Sequence, residues 1–184
     1  MINREIFFTG YKKEFGRLSQ TQVDSLIFIL NKLDEDKRIT DGRWMAYILA
    51  TIQWETANTF KPITEYGSQA YLRSKRYFPF IGRGFVQLTW EANYKSFGDC
   101  LGIDLVGNPQ LANEPETAWE ILVEGMTDYN LTFNDPEFTA YSLEDFFNDN
   151  KTDWVNARKI INGNDKKETI GNIAQKFYSI IEFI

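Results

Sequence analysis

Histidine is absent from all 184 residues, and with it go the Ser-His-Asp triad, the Cys-His pair and every histidine-ligated zinc site. Proton transfer by this chain therefore falls to carboxylates. Cysteine is nearly absent too. Cys100 has no partner for an internal disulfide, so stability must come from packing, and its expected place is as a small buried residue on a helix. Long apolar runs are missing: Ser25–Leu30 and Met45–Ile52 fall well short of the ~20 residues that span a bilayer. The N-terminus Met1-Ile-Asn-Arg-Glu-Ile-Phe-Phe-Thr-Gly10 has no apolar stretch followed by a small-residue cleavage site. The expectation is a chain made in the cytoplasm without a signal peptide and without membrane insertion. Positive charge is in deficit, with 20 basic against 26 acidic residues, which argues against a nucleic-acid partner. The stretch Lys61 to Arg83 is locally more basic. Its Arg73, Lys75, Arg76 and Arg83 form either a solvated, ion-paired surface or a face for an anionic polymer.

What is present fits one folded domain over residues 1–184: 43% hydrophobic and 16% aromatic residues, with no linker-like stretch and no internal repeat. A first helix is expected over 3–15. Ser19-Gln-Thr-Gln22 is a capping box opening a second, with Val23, Leu26, Ile27, Leu30 and Leu33 on its apolar face and an end near Asp34. Thr40 or Asp41 can cap a third, from about Gly42 to Ala57, with Trp44, Tyr47, Ile48 and Ile52 as its apolar stripe. Glycines 67, 82 and 84 and Pro79 preclude a long helix between Tyr66 and Thr89, where a loop and a short hairpin are expected. Thr89 can cap a helix to Leu101, and Glu114-Pro-Glu-Thr opens one to about Tyr129. Further helical stretches are expected at 142–148, 152–161 and from Lys166 to the end. The fold class is mainly α with at most a small β-hairpin.

Two glutamates stand out by context. Glu55 falls in the last turn of the third helix, where the negative end of the helix dipole and burial beside Trp54 both disfavour ionisation. Glu65 lies past Pro62 in a loop where water favours the charged form. One protonated acid and one ionised base are the minimum equipment for hydrolysing a glycosidic bond. Each glutamate alone would ordinarily be a solvated side chain. Downstream, Gln87, Thr89 and Asn93 are placed to point into one cleft if an extended piece runs into a helix; local capping is the plainer reading. Trp90, Tyr94, Tyr66 and Tyr71 are either stacking surfaces for sugar rings or core.

The order and spacing of the whole set, Trp54-Glu-Thr-Ala-Asn-Thr-Phe60, Pro62, Glu65, Gly82-Arg-Gly84, Gln87-Leu-Thr89, Asn93 and Tyr94, resembles the catalytic core of glycoside hydrolase family 19. The likeness continues through Gly102-Ile-Asp-Leu-Val-Gly-Asn-Pro109 and Trp154-Val-Asn-Ala-Arg-Lys-Ile-Ile-Asn-Gly163. That family includes chitinases and lysozyme-like phage endolysins. The resemblance implies a lysozyme-like α(+β) bundle, with Glu55 as general acid, Glu65 as the base that activates water, and Thr89 helping to hold that water. It places Gln87, Asn93 and Asn162 as substrate-contacting positions, with Gly82 and Gly84 letting backbone approach the sugar; Tyr66, Trp90 and Tyr94, as stacking surfaces, complete the expected substrate-binding set. It implies inversion of configuration, with no metal and no cofactor. The sequence departs from the family in having Trp54 where a histidine usually precedes the Glu-Thr pair. Thr169 stands where plant-type members place an arginine that holds the base, so Arg158, Arg73 or Arg83 is expected to substitute.

The function expected on these grounds is hydrolysis of a β-1,4-linked aminosugar polymer by a monomer. Bacterial peptidoglycan is the first choice of substrate, as for an antimicrobial bacteriophage endolysin, and chitin the alternative. Release to the cell wall would go through a holin-type pore or an injection system. The rivals are an inactive glycan-binding or tail-associated structural protein, and a lytic transglycosylase.

Overall fold

The computed structural model describes residues 1–127 and 138–184. α1 (Arg4–Phe15) opens on Asn3, whose side chain accepts the Ile6 N–H, and α2 (Gln20–Glu35) opens on the expected capping box of Ser19 and Gln22. The buried face of α2 is Leu26, Ile29, Leu30 and Leu33, with Ile27 largely exposed; Ile29 takes the place expected of Ile27. α3 (Gly42–Glu55) is capped by Asp41, which accepts the Arg43 N–H. All eight residues from Met45 to Ile52 are buried. A helix covered on every side is the centre of a bundle rather than a one-faced surface helix, which is more than its expected stripe suggested.

β1 (Ile63–Thr64), the short α4 (Gln69–Arg73) and β2 (Arg83–Gly84) follow. β1 and β2 pair antiparallel, Ile63 with Gly84 and Thr64 with Arg83, closing around the α4 excursion, with β1 lying before the 66–89 stretch in which the sequence predicts a hairpin. α5 (Glu91–Leu101) starts at Trp90, with no side-chain cap; Thr89 does not cap it, because its hydroxyl donates to the Gln87 carbonyl. Cys100 is exposed on α5 rather than buried, with its thiol 3.5 Å from Glu124 Oε1. α6 (Pro115–Met126) carries proline in its first turn as expected; the expected extension to Tyr129 lies outside the described residues.

The stretch 142–148 is not a helix. A 3₁₀ turn at Leu143–Asp145 leads into β3 (Phe147–Asn148), paired with β4 (Lys151–Thr152). The Asn148 side chain accepts the Asn150 N–H in the connecting turn, and Arg43 on α3 grips the hairpin through Asn148 O, Lys151 O and Thr152 Oγ1. The stretch 152–161 is likewise broken into a 3₁₀ turn at Asn156–Arg158 and α7 (Lys159–Asn162). α8 (Lys167–Tyr178) packs along α3 and stops short of the end, where Phe183 bridges to Ile2. Among the described residues no helix is long and apolar enough to cross a membrane.

Trp119 on α6, fully buried, donates its indole N–H to Asp36 Oδ2 at 3.0 Å. Asp36 also takes Arg38 at 2.6 Å, and Arg38 reaches Glu120 and Glu124, tying the end of α2 to α6. Burial raises the ionisation range of Asp36, but the bonds from Arg38 and Trp119 together outweigh it and hold the carboxyl below its ordinary 3.8. The folded state therefore binds fewer protons than the unfolded chain. This stabilisation is present above the unfolded value and is lost as pH falls through the folded one. Asp36→Asn is expected to lose roughly 2 kcal/mol at pH 7, as for a hydrogen bond to a charged group. It should also show a shallower loss of stability on acidification to pH 3 than the parent, read by urea unfolding at both pH values.

Candidate active site

Glu55 is the last residue of α3. The chain then winds tightly: Ala57, Asn58 and Phe60 all have positive φ, at 50, 65 and 58°, a conformation that costs free energy at any non-glycine residue. Surrounding bonds hold it. Thr56 Oγ1 donates to Ile52 O and accepts the Phe60 N–H, Phe60 is buried, and Gln22 of the α2 capping box donates to Asn58 O at 2.8 Å. A helix cap far away in sequence thus braces the turn that separates the two glutamates.

The Glu55 carboxylate is 15% exposed and lies 2.7 Å from Nη1 of Arg158, whose side chain is only 2% exposed. The contact is close, but the N–H is not aligned as a hydrogen bond. Arg158 Nε donates to Asp165 O, which fixes the guanidinium from behind. Helix dipole and burial led to the expectation of a neutral acid here. The structure adds a group the sequence does not predict at this glutamate, a buried guanidinium facing its carboxyl.

Glu65 follows β1 directly and is half-buried, not exposed in a loop. Its N–H pairs with Gly82 O at 2.7 Å. Tyr77 Oη donates to Oε1 at 2.9 Å and the Gly82 N–H to Oε2 at 3.2 Å, two donors that suit an ionised carboxylate. Burial first, then the bond to Glu65, pushes the Tyr77 hydroxyl up from its usual range, so it stays a donor. Of the three arginines expected at the base, none contacts it. Arg158 is on Glu55, Arg73 is exposed on α4, and Arg83 is buried with its Nη1 on Pro79 O, Ile81 O and Tyr94 Oη.

The other expected residues divide into two groups. Gln87, Thr89 and Asn93 do come together, but through a turn and not an extended strand. Arg83 and Leu88 exchange N–H···O bonds, Gln87 (φ 56°) donates its amide to Ile63 O, Thr89 Oγ1 donates to Gln87 O, and Asn93 donates to Thr89 O. Their donors are largely committed, leaving Thr89 Oγ, Gln87 Oε1 and Asn93 Oδ1 as acceptors. Trp90, half exposed at φ 75°, stands edge-on to Tyr77 at 5.2 Å, beside the Glu65 carboxylate. Tyr66 is exposed next to Glu65. Tyr94 offers no face to a sugar: it is 0% exposed, donates to Ile81 O and accepts from Arg83. Asn162 is exposed at the end of α7.

The glycines also pack inward. A Cβ on Gly82 would stand 2.8 Å from Gln87 Oε1, and one on Gly84 (φ 85°) 2.8 Å from Ala112 O, so both permit close packing within the protein. Gly84→Ala combines a left-handed strain with a backbone clash. It is expected to cost at least ~2 kcal/mol and to lower Tm by roughly 4–8 °C for a chain of this size, measured by calorimetry.

Tyr77 was missed by sequence reasoning because nothing in its spacing from Glu65 marks it. Arg158 was marked only through the Trp154–Gly163 segment, and as a partner for the wrong glutamate. Among the described residues no group of three or more His, Cys, Asp or Glu side chains is arranged to hold a metal ion.

Residues 40–129 match the glycoside hydrolase family 19 model, chitinase class I. The matched span includes Glu55, Glu65 and the 82–94 turn but not Arg158 or Asn162. Two rice (Oryza sativa subsp. japonica) proteins are similar over short stretches: Chitinase 8 is 54% identical over 35 residues, 19% of this chain and 13% of its own length. Chitinase 11 is 46% identical over 46 residues, 24% of this chain and 18% of its own. The matched stretches thus span under a fifth of either relative. In fold, a bacterial family 19 chitinase is similar over 97% of this chain and 93% of its own, with TM-score 0.58 at 20% identity. Chitinase C from Streptomyces griseus is similar over 97% and 75%, with TM-score 0.55 at 21% identity. Over the span that holds both glutamates the sequence thus resembles glycoside hydrolase family 19, and over nearly the whole chain the fold is similar to that of family 19 chitinases.

Proposed function

We propose that this protein is an inverting glycoside hydrolase that cleaves a polymer of β-1,4-linked N-acetylated aminosugars, with chitin as its substrate. The observation that carries this reading is the contrast between the two carboxylates: Glu55 against a buried guanidinium, Glu65 between a phenol and a backbone amide. Glu55 gives its proton to the glycosidic oxygen. As the proton leaves, charge develops on Glu55, and Arg158 stabilises it more in the transition state than in the ground state, which is where stabilisation accelerates the step. Glu65 takes one proton from water, and Thr89 Oγ, an acceptor already oriented by its own bond to Gln87 O, accepts a hydrogen bond from the O–H that the water keeps. The water's lone pair is thereby aimed at the anomeric carbon, with no covalent sugar ester.

Chitin comes ahead of peptidoglycan because the matching family model and the curated relatives are chitinases. Peptidoglycan remains the second reading on one observation: Arg73 and Arg76, exposed in the segment after Glu65, suit the carboxylates of a peptide-bearing glycan. Incubation with chitin oligomers and, separately, purified peptidoglycan, followed by mass spectrometry and early-time proton NMR, tests both. Hydrated reducing ends appearing first as the α anomer from chitin support the proposal, and the same products from peptidoglycan alone favour the second reading. Products lighter by one water would indicate a transglycosylase, and no products from either polymer would overturn hydrolysis in favour of a binding role.

A further inference from the structure

Glu65 has no arginine within contact, yet a buried cation stands one peptide group away from it. Arg83 is 5% exposed, and among the described residues no carboxylate pairs with it. Its Nη1 is shared among Pro79 O at 3.2 Å, Ile81 O at 3.1 Å and Tyr94 Oη at 2.9 Å. Tyr94 in turn donates to the same Ile81 O at 2.8 Å, with its ring centroid 5.7 Å from the guanidinium carbon. A buried charge without a counter-ion is costly unless its field is used or its bonds fully compensate it.

The bonding pattern shows where that field goes. Ile81 O and the Gly82 N–H belong to one peptide unit. Its oxygen accepts from Arg83 and from Tyr94, and its N–H donates to Glu65 Oε2 at 3.2 Å. Drawing electron density toward the oxygen of a peptide makes its N–H a stronger donor, the cooperativity expected of hydrogen bonds in series inside a protein.

We propose that Arg83 and Tyr94 are positioning residues for the base, acting on Glu65 through the Ile81–Gly82 peptide. They aim and polarise the one backbone amide that holds Glu65, and so do at a distance what a directly contacting arginine would do. No atom is transferred; the couple acts by orientation and charge. The same two side chains also fix the 79–82 turn, whose Phe80 O accepts the Trp90 N–H at 3.0 Å. One brace therefore sets both the base and the exposed indole beside it. Buried Tyr94, unsuited to touching substrate, acquires a role through this path.

The inference rests on the reading of Glu65 as the base, so its test has an arm independent of catalysis. In 15N-labelled protein the Gly82 amide resonance is followed from pH 3 to 8, with Glu65→Gln identifying the step that reports the Glu65 carboxyl. Tyr94→Phe, which keeps the ring, is expected to move the Gly82 amide proton upfield and shrink that step. It should lower kcat by roughly tenfold, the effect of weakening a hydrogen bond to a charged group, with KM unchanged. Arg83→Met should do so more strongly and move the acid limb of the kcat profile to higher pH, with Arg83→Lys recovering part of the loss. The other titratable groups whose charges act together with that of Glu65 are Tyr77, Lys75 and Tyr71. Tyr77→Phe gives the limb's dependence on the second donor for comparison. An unmoved Gly82 amide in folded Tyr94→Phe and Arg83→Lys proteins would overturn the proposal. Absence of hydrolysis with the amide response intact would overturn the assignment of the base and leave the peptide coupling standing.

Discussion

Glu55→Gln is expected to lower kcat by about 10²–10⁴-fold, the contribution of a positioned general acid, with little change in KM. Glutamine keeps the shape and an oxygen facing Arg158 but has no proton to give. Because it is uncharged, the substitution also removes the counter-charge of a guanidinium that is 2% exposed. A fully buried ion pair broken in this way costs about 3–5 kcal/mol. Glu55 keeps some contact with solvent and glutamine keeps an acceptor, so a loss on the order of 1–3 kcal/mol is expected instead. Circular dichroism and urea unfolding separate the two effects. A folded Glu55→Gln protein with parental kcat on chitin oligomers would remove Glu55 from the chemistry.

Arg158→Met is expected to be the more damaging change to the fold. It takes away the cation that faces Glu55 and the Nε–H bond to Asp165 O, in a segment that packs closely against α8, where Gly171 admits Trp154 O with no room for a Cβ. The carboxylate is left at the end of α3, next to the negative pole of the helix, without its counter-charge. A loss of roughly 2–4 kcal/mol is expected, together with a fall in kcat at fixed KM. The double variant supplies the sharper readout. Once either partner is gone the other has nothing to lose, so Glu55→Gln with Arg158→Met should be less destabilised than the sum of the singles, by about 0.5–3 kcal/mol. Additive losses would mean that Arg158 supports the fold independently of Glu55.

Features encoded within a few residues were legible from the chain alone. The Ser19–Gln22 box, the Asp41 cap and Pro115 in the first turn of α6 all appear where local chemistry puts them, because a cap is satisfied by neighbours three residues away. The helix expected over 142–148 gives way to a turn and the first strand of the 147–152 hairpin, because what holds that hairpin is Arg43, more than a hundred residues distant, gripping its carbonyls. Tyr94 was counted among stacking candidates because an aromatic at helical spacing looks the same whether it faces sugar or core. Only burial and the bond to Ile81 O distinguish the two.

By itself the sequence narrowed the chemistry open to the chain: with no histidine, carboxylates are the natural proton carriers, and the proposed roles of Glu55 and Glu65 rest on their context in the chain. Tertiary structure alone decided what surrounds each one. It set Arg158 against the glutamate at the helix end, where burial had been expected to keep it neutral, and it gave Glu65 a phenol and a backbone amide in place of an arginine. Ionisation and hydrogen bonding depend on groups brought within about 3 Å by folding, and those groups come from segments between a dozen and a hundred residues away.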